Sequence, residues 1–184
     1  VDHMASLVSS LLILARIDES RHPLHVEPYD STALLHDVAR HWRIEAQRAK
    51  LGFEMGIPAD LPDIPVAAND LRMVLDNLLS NAIKYTPEGK VTFTARHSGD
   101  QVVLQVTDTG RGYSPDEGQQ IFTRFFRAAD VRADEISGTG LGLAIVQSIV
   151  ALYDGHVQAR SAGIGQGSQF IVTLPLKRLT NSAG

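Results

Sequence analysis

Met4, Leu7, Val8, Leu11, Leu12 and Ala15 recur at intervals of three and four residues, which predicts an amphipathic helix whose apolar stripe it cannot hide alone. The stripe needs a partner surface, on its own domain or in an oligomeric bundle. His22-Pro23 and Glu27-Pro28 then break the chain into an extended connector, because proline drives the preceding residue out of the helical region, and this favours the bundle. Ser31 is a good N-cap for a second long helix to about Lys50, with Gly52 placed to end it. Phe53 to Ile57 reads as a strand, Pro58 to Pro65 as a loop, and Asp70 to Tyr85 as a third helix stopped by Thr86-Pro87-Glu88-Gly89.

Beyond that stop the period changes from helical to two. Val91, Phe93 and Ala95 alternate with Thr92, Thr94 and Arg96, and after Ser98-Gly99-Asp100 the pattern resumes in Val102, Leu104 and Val106, a hairpin of two half-buried strands. Residues from about Arg111 to Ser137 are irregular and polar, yet Ser114-Pro115-Asp116-Glu117 is a capping box with proline at the first helical position, so a short helix is expected inside the loop. A helix from Thr139 to Tyr153, closed by Asp154-Gly155, and strands near His156–Ser161 and Gln169–Leu174 complete the pattern. Helices segregated from mostly antiparallel strands define the class as α+β, a sandwich rather than a doubly wound sheet.

The chain of 184 residues with 43% hydrophobic content is long enough for one well-buried core. A net charge of −4 and a pI near 5.9 argue against a broad nucleic-acid or anionic-membrane surface, so any phosphate site must be local. Cysteine is absent, which removes disulfides and thiolate metal sites and fits a cytosolic location. The longest apolar run, Leu11 to Ala15, is far below the roughly 18 residues of a membrane span, and no signal-peptide pattern opens the chain.

Three clusters carry candidate chemistry. On the third helix, Leu71, Leu75, Leu78 and Ala82 form the apolar face, while Asn77, Asn81 and Lys84 share one flank and Tyr85 falls at the margin. That flank is either a solvated helix face or a set of oxygen and charge donors suited to magnesium-bound phosphates, since magnesium keeps several waters and needs few protein ligands. Asp108 ends a strand and leads into Thr109-Gly110-Arg111-Gly112. It is either a polar turn starter or a partly buried carboxylate that accepts from the exocyclic amine of adenine; guanine would present an oxygen there, so such a bond selects ATP over GTP. Gly138-Thr139-Gly140-Leu141-Gly142-Leu143 opens a helix whose unpaired N–H groups and dipole favour phosphate, and it is neither a Walker A loop nor a dinucleotide-binding fingerprint. Between the last two clusters, Phe122, Phe125 and Phe126 read as a satellite core or as anchors of a lid, with Arg124 and Arg127 as candidate phosphate or partner contacts.

Together these clusters resemble the ATP-binding domain of sensor histidine kinases, of the GHKL or Bergerat ATPase superfamily. Asn77 through Pro87 resembles the N box, Asp108–Gly112 the G1 box, Phe122–Arg127 the F box and Gly138–Leu143 the G2 box; Gly165 to Phe170 is similar to the last glycine motif. Leu11 to Asp18 looks like the end of the second helix of the family's dimerisation hairpin. The resemblance implies a two-layer α/β sandwich with a mixed sheet of about five strands and three helices on one face. It implies division into the end of a hairpin helix (1–20), a linker (21–30), a catalytic domain (31–178) with an ATP lid at about 111–137, and a tail (179–184). ATP and Mg2+ are the implied cofactors. Asn81 would ligate magnesium and, with Lys84, serve catalysis; Asn77 and Lys84 would meet the phosphates, Tyr85 the adenine and Asp108 its amine. Gly110, Gly112, Phe122, Arg127, Gly138, Thr139, Gly140, Leu141, Gly142, Leu143 and Ser168 would complete the nucleotide site.

The implied reaction is transfer of the γ-phosphoryl group of ATP to a histidine, then to an aspartate of a response regulator receiver domain. Implied partners are that receiver, the histidine-bearing hairpin of a parent kinase and a second copy in a homodimer, with no nucleic acid. The parent would be cytoplasmic or anchored in a bacterial inner membrane. The family's acceptor motif, a histidine followed by an acidic residue and Leu-Arg-Thr-Pro, is absent, and neither His3 nor His36-Asp37 supplies it. This chain is therefore expected to bind nucleotide without phosphorylating itself. Other departures are Tyr113 and Ser114 after the G1 glycines and acidic Asp134-Glu135 in the lid. A GHKL serine kinase, a conformational ATPase and a non-catalytic nucleotide-binding module are the alternatives.

Overall fold

The computed structural model describes residues 12, 26–126 and 139–177. The helix expected from Met4 to Asp18 (apart from Leu12, which is helical), the His22-Pro23 break, the Asp134-Glu135 pair and the tail lie outside the described residues, as do Arg127 and Gly138. Among the described residues no helix is long and apolar enough to cross a membrane.

Helix α1 spans Ser31–Arg48, and its N-cap is Asp30 rather than Ser31: the Asp30 carboxylate accepts from Ala33 N at 2.8 Å. Ser31 instead turns inward, where its fully buried hydroxyl accepts from Ile64 N at 2.8 Å and satisfies a donor of the following loop. The C-terminus closes without glycine. Lys50 takes the left-handed conformation (φ 60°), and the bonds Lys50 N to Gln47 O and Leu51 N to Ala46 O complete a Schellman motif. Gly52 is thereby released to open strand β1 (Gly52–Gly56).

Helix α2 (Ala68–Lys84) begins two residues before the expected Asp70. Its N-cap residue, Ala67, has no capping side chain. The buried hydroxyl of Tyr153 takes that part, accepting from Ala67 N at 3.3 Å and donating to Asp70 Oδ2 at 2.5 Å. Strands β2 (Lys90–Ser98) and β3 (Gln101–Asp108) form the expected hairpin, with Gly99 in the left-handed region at its turn. Helix α3 (Pro115–Gln120) carries the capping box in full, Ser114 and Glu117 each bonding the other's backbone N–H. Helix α4 runs from Gly142 to Leu152, later than the expected Thr139, because Gly140 at φ 70° cannot belong to it. Strands β4 (His156–Arg160) and β5 (Ser168–Pro175) follow.

The five strands make one mixed sheet in the order β1-β2-β3-β5-β4. Only β1–β2 is parallel, as a crossover through α2 requires; the other pairs are antiparallel. The rows Val91-Phe93, Leu104-Val106 and Phe170-Val172 come into register on one sheet face and are buried beneath α1, α2 and α4. Trp42 Nε1 donates to Asp76 Oδ1 at 2.7 Å and ties α1 to α2. This α+β arrangement, with three helices on one face, is the one the motifs implied.

Candidate nucleotide site

Periodicity places α2 correctly: Leu71, Leu75, Leu78 and Ala82 are buried, joined by Val74 and Leu79, and Asn77 and Asn81 fall half-buried on the adjacent flank. Asn77 is held by its own helix, Nδ2 donating to Met73 O at 2.8 Å, which leaves Oδ1 directed at the entrance of α4. A Cβ on Gly142 would stand 2.6 Å from that oxygen. The Asn flank and the glycine-led helix entry, far apart in sequence, are therefore in contact. Asn81 has no side-chain hydrogen bond to another described residue, and Lys84, the last residue of α2, is exposed. Gly142→Ala is expected to push the Asn77 amide aside and weaken nucleotide binding about tenfold, with a melting temperature lowered by a few degrees; titration calorimetry and thermal unfolding read the two effects.

The second cluster lies against the end of the same helix. Asp108 closes β3, is 4% exposed, and its Oδ1 accepts from Gly110 N at 2.9 Å and Ser168 N at 3.2 Å. Burial pushes its pKa above the ordinary 3.8, and the bonds from Gly110 and from the backbone and hydroxyl of Ser168 offset only part of that rise. Ser168 stands opposite Asp108 in the β3–β5 register, so in this geometry it holds the carboxylate. Gly110 is required because a Cβ there would lie 2.2 Å from Tyr85 O, while Arg111 N donates to that carbonyl at 2.9 Å. The loop before β5 then clamps the turn: Gly165 N donates to Arg111 O and Gly167 N to Gly110 O, and Gly167 at φ 69° passes close beneath Asp108 O.

The third cluster is joined to the aromatic loop by backbone. Phe125 N donates to Gly140 O at 2.9 Å, and a Cβ on Gly140 would lie 2.9 Å from Phe125 Cα. Phe122 packs on the core and Phe126 is half-buried. Phe125 is not buried as an anchor would be: it is 58% exposed at φ 63°, a left-handed conformation that costs an aromatic residue about 1–3 kcal/mol and is held by the Gly140 carbonyl. Thr139 Oγ1 accepts from Leu141 N, Leu141 is fully buried and Leu143 half-buried. Arg111 pairs with Glu117 at 3.4 Å, both largely shielded. Sequence reasoning set Tyr113 apart only as a departure; the structure puts its ring in the buried wall next to Asp108's turn.

Helix α2 thus touches both other clusters, the turn after Asp108 through Tyr85 and Gly110, and the entrance of α4 through Asn77 and Gly142. Residues 67–178, more than half the chain, match the family of histidine kinase-, DNA gyrase B-, and HSP90-like ATPases. The chain belongs to that family. Its relatives lie on the sensor-histidine-kinase side: it is 35% identical over 97% of its length to the circadian input-output histidine kinase CikA of Synechococcus elongatus, and 32% identical over 94% to the sensor histidine kinase RcsC of Escherichia coli. It spans only 24% and 18% of those proteins. The crystal structure of full-length ShkA in complex with AMPPNP superposes with a TM-score of 0.83 at 32% identity, over 96% of this chain and 36% of that one.

Proposed function

We propose that this chain is the ATP-binding catalytic domain of a two-component sensor histidine kinase, which transfers the γ-phosphoryl group of ATP to a histidine outside residues 1–184. In this reading residues 31–178 form the catalytic domain, with a lid at about 111–137. Residues 1–20 end a dimerisation hairpin helix, 21–30 link the two and 179–184 form a tail. The observation that carries it is the buried, backbone-held carboxylate of Asp108, whose turn packs at Gly110 on the end of α2, the helix whose Asn77 touches the glycine entry of α4.

Asp108 accepts from the adenine amine, and Tyr85, half-buried at the end of α2, lies against the base. The N–H groups at the start of α4 meet the phosphates, and Lys84 neutralises charge that builds on the transferred group. The donor set fits magnesium. Asn81, whose side chain bonds to no other described residue, would offer its amide oxygen to the ion, and magnesium needs few protein ligands. Magnesium, when bound, supplies charge neutralisation across the phosphates. A histidine nitrogen attacks the γ-phosphorus, the bond to the bridging oxygen breaks and ADP leaves. A response regulator receiver domain then takes the phosphoryl group on an aspartate, and the parent works as a cytoplasmic-facing homodimer.

Mixing the chain with labelled ATP, magnesium and a separately supplied acceptor hairpin tests the reading. Acid-labile phosphohistidine on the hairpin is expected, with none on the chain alone. Nucleotide binding without any transfer would replace the kinase by a non-catalytic binding module, and phosphoserine would replace it by a serine kinase.

A further inference from the structure

The G1 turn carries a polar group that the proposed binding scheme does not use. Tyr113 follows Gly112, whose φ of 64° and contact with Gly163 O fix the direction of the chain, and its own N–H donates to Ser161 Oγ at 3.2 Å. One edge of the ring is walled by α3, where a Cβ on Gly118 would stand 3.1 Å from Tyr113 Cε2. The residue is 8% exposed, and its hydroxyl oxygen is shielded and has no hydrogen-bond partner among the described residues. A buried phenol is almost always bonded, because leaving it unpaired forfeits its hydration for nothing. Burial, and after it the Asp108 charge, pushes the phenol up to about 12, so it remains a donor throughout the physiological range.

We infer that Tyr113 is a second base-reading residue, its O–H donating to N1 of adenine while Asp108 accepts from the exocyclic amine. This rests on the nucleotide site proposed above. A donor beside an acceptor matches adenine, which presents an amine and, on the next ring atom, a lone pair. Guanine and hypoxanthine present the reverse, an oxygen and an N–H, so each clashes twice instead of once, and the preference for adenine becomes that of two bonds. Shielded as the hydroxyl is, it reaches a base only after the ring turns about its side-chain torsions, and the absent hydrogen bond favours that turn. Asp108 Oδ1 accepts from Gly110 and Ser168, which leaves Oδ2 for the amine, and a carboxylate is acceptor-only, so a donor to N1 must come from another group.

Tyr113→Phe separates a reading role from a structural one. Calorimetry of wild type and variant with ADP, and with its 1-deaza analogue that keeps the amine but lacks the N1 acceptor, is paired with thermal unfolding of both proteins without nucleotide. The variant is expected to bind ADP about tenfold more weakly, the worth of one hydrogen bond, and to unfold at the same or a higher temperature, having lost an unpaired buried hydroxyl. The 1-deaza analogue is expected to bind both proteins alike, about tenfold more weakly than ADP binds wild type. Equal ADP affinity in the two proteins overturns the inference, and so does an equal loss with both ligands. Should the variant not fold, the wild-type ratio of the two ligands decides alone: a ratio near one overturns it. If wild type binds no adenine nucleotide at all, the proposed function itself falls and takes this with it.

Discussion

Asp108→Ala is expected to take ADP binding below calorimetric detection, and Asp108→Asn to weaken it by about 10³-fold or more, since a site built around a polar contact rejects a mismatched group by that order. The two variants differ in what they do to the fold. Alanine strips the acceptor from Gly110 N–H and Ser168 N–H, and each donor left unpaired in the interior costs about 1–3 kcal/mol, so part of its effect is instability. Asparagine keeps an oxygen for those two donors but turns an N–H2 group toward the adenine amine. Lost binding in a folded Asn variant is therefore a statement about the base. The pH dependence gives an independent check. Burial raises the Asp108 pKa above its ordinary 3.8, so the native state holds the proton more tightly than the unfolded chain. The stability this contributes is fully present below pH 3.8 and is lost as pH rises through the raised value. Urea unfolding should then show Asp108→Asn at least as stable as wild type at pH 7, with the gap closing on acidification. Unchanged ADP affinity in either variant removes Asp108 from the site.

What the sequence revealed, and what it hid, divides by the range of the interactions involved. The buried face of α2 and the β2–β3 hairpin follow from periodicities of 3.6 and 2, which are local and need no knowledge of the partner surface. The capping box at Ser114 was equally legible because both of its members lie within one turn. The errors sit where a distant group decides. Ser31 was displaced as cap because Ile64, 33 positions on, needed its hydroxyl. The start of α2 moved forward because Tyr153, 83 positions beyond Asp70, supplied the missing partner. Phe125 faces outward because a carbonyl at Gly140 fixes its backbone, and nothing in the spacing of three phenylalanines says which one turns away. The parallel pairing of β1 with β2 was also silent, since a helix intervenes between the strands. As for the site, resemblance named its residues, but the grip of Ser168 on Asp108, the Asn77–Gly142 contact and the unpaired Tyr113 hydroxyl belong to three-dimensional geometry alone.

The second large effect falls on phosphoryl transfer. Asn81 lies one turn beyond Asn77 on the half-buried flank of α2, and its side chain bonds to no other described residue, so Asn81→Ala should leave the unfolding curve within about 0.5 kcal/mol of wild type. Its loss is expected to slow phosphorylation of a separately supplied acceptor hairpin by about 10²–10³-fold at saturating ATP, the usual effect of removing one group that stabilises transition-state charge. The signature lies in the metal. With EDTA present, wild type and Asn81→Ala should bind ADP alike; with magnesium, wild type should gain affinity and the variant should not. Asn77→Ala offers the contrast, because Asn77 is bonded to Met73 O and touches Gly142, and its loss disturbs the entrance of α4 directly. That variant should therefore bind ADP more weakly with and without magnesium. If Asn81→Ala transfers phosphate at the wild-type rate, or if its magnesium increment persists, the metal is held elsewhere and the unbonded amide has no part in the chemistry.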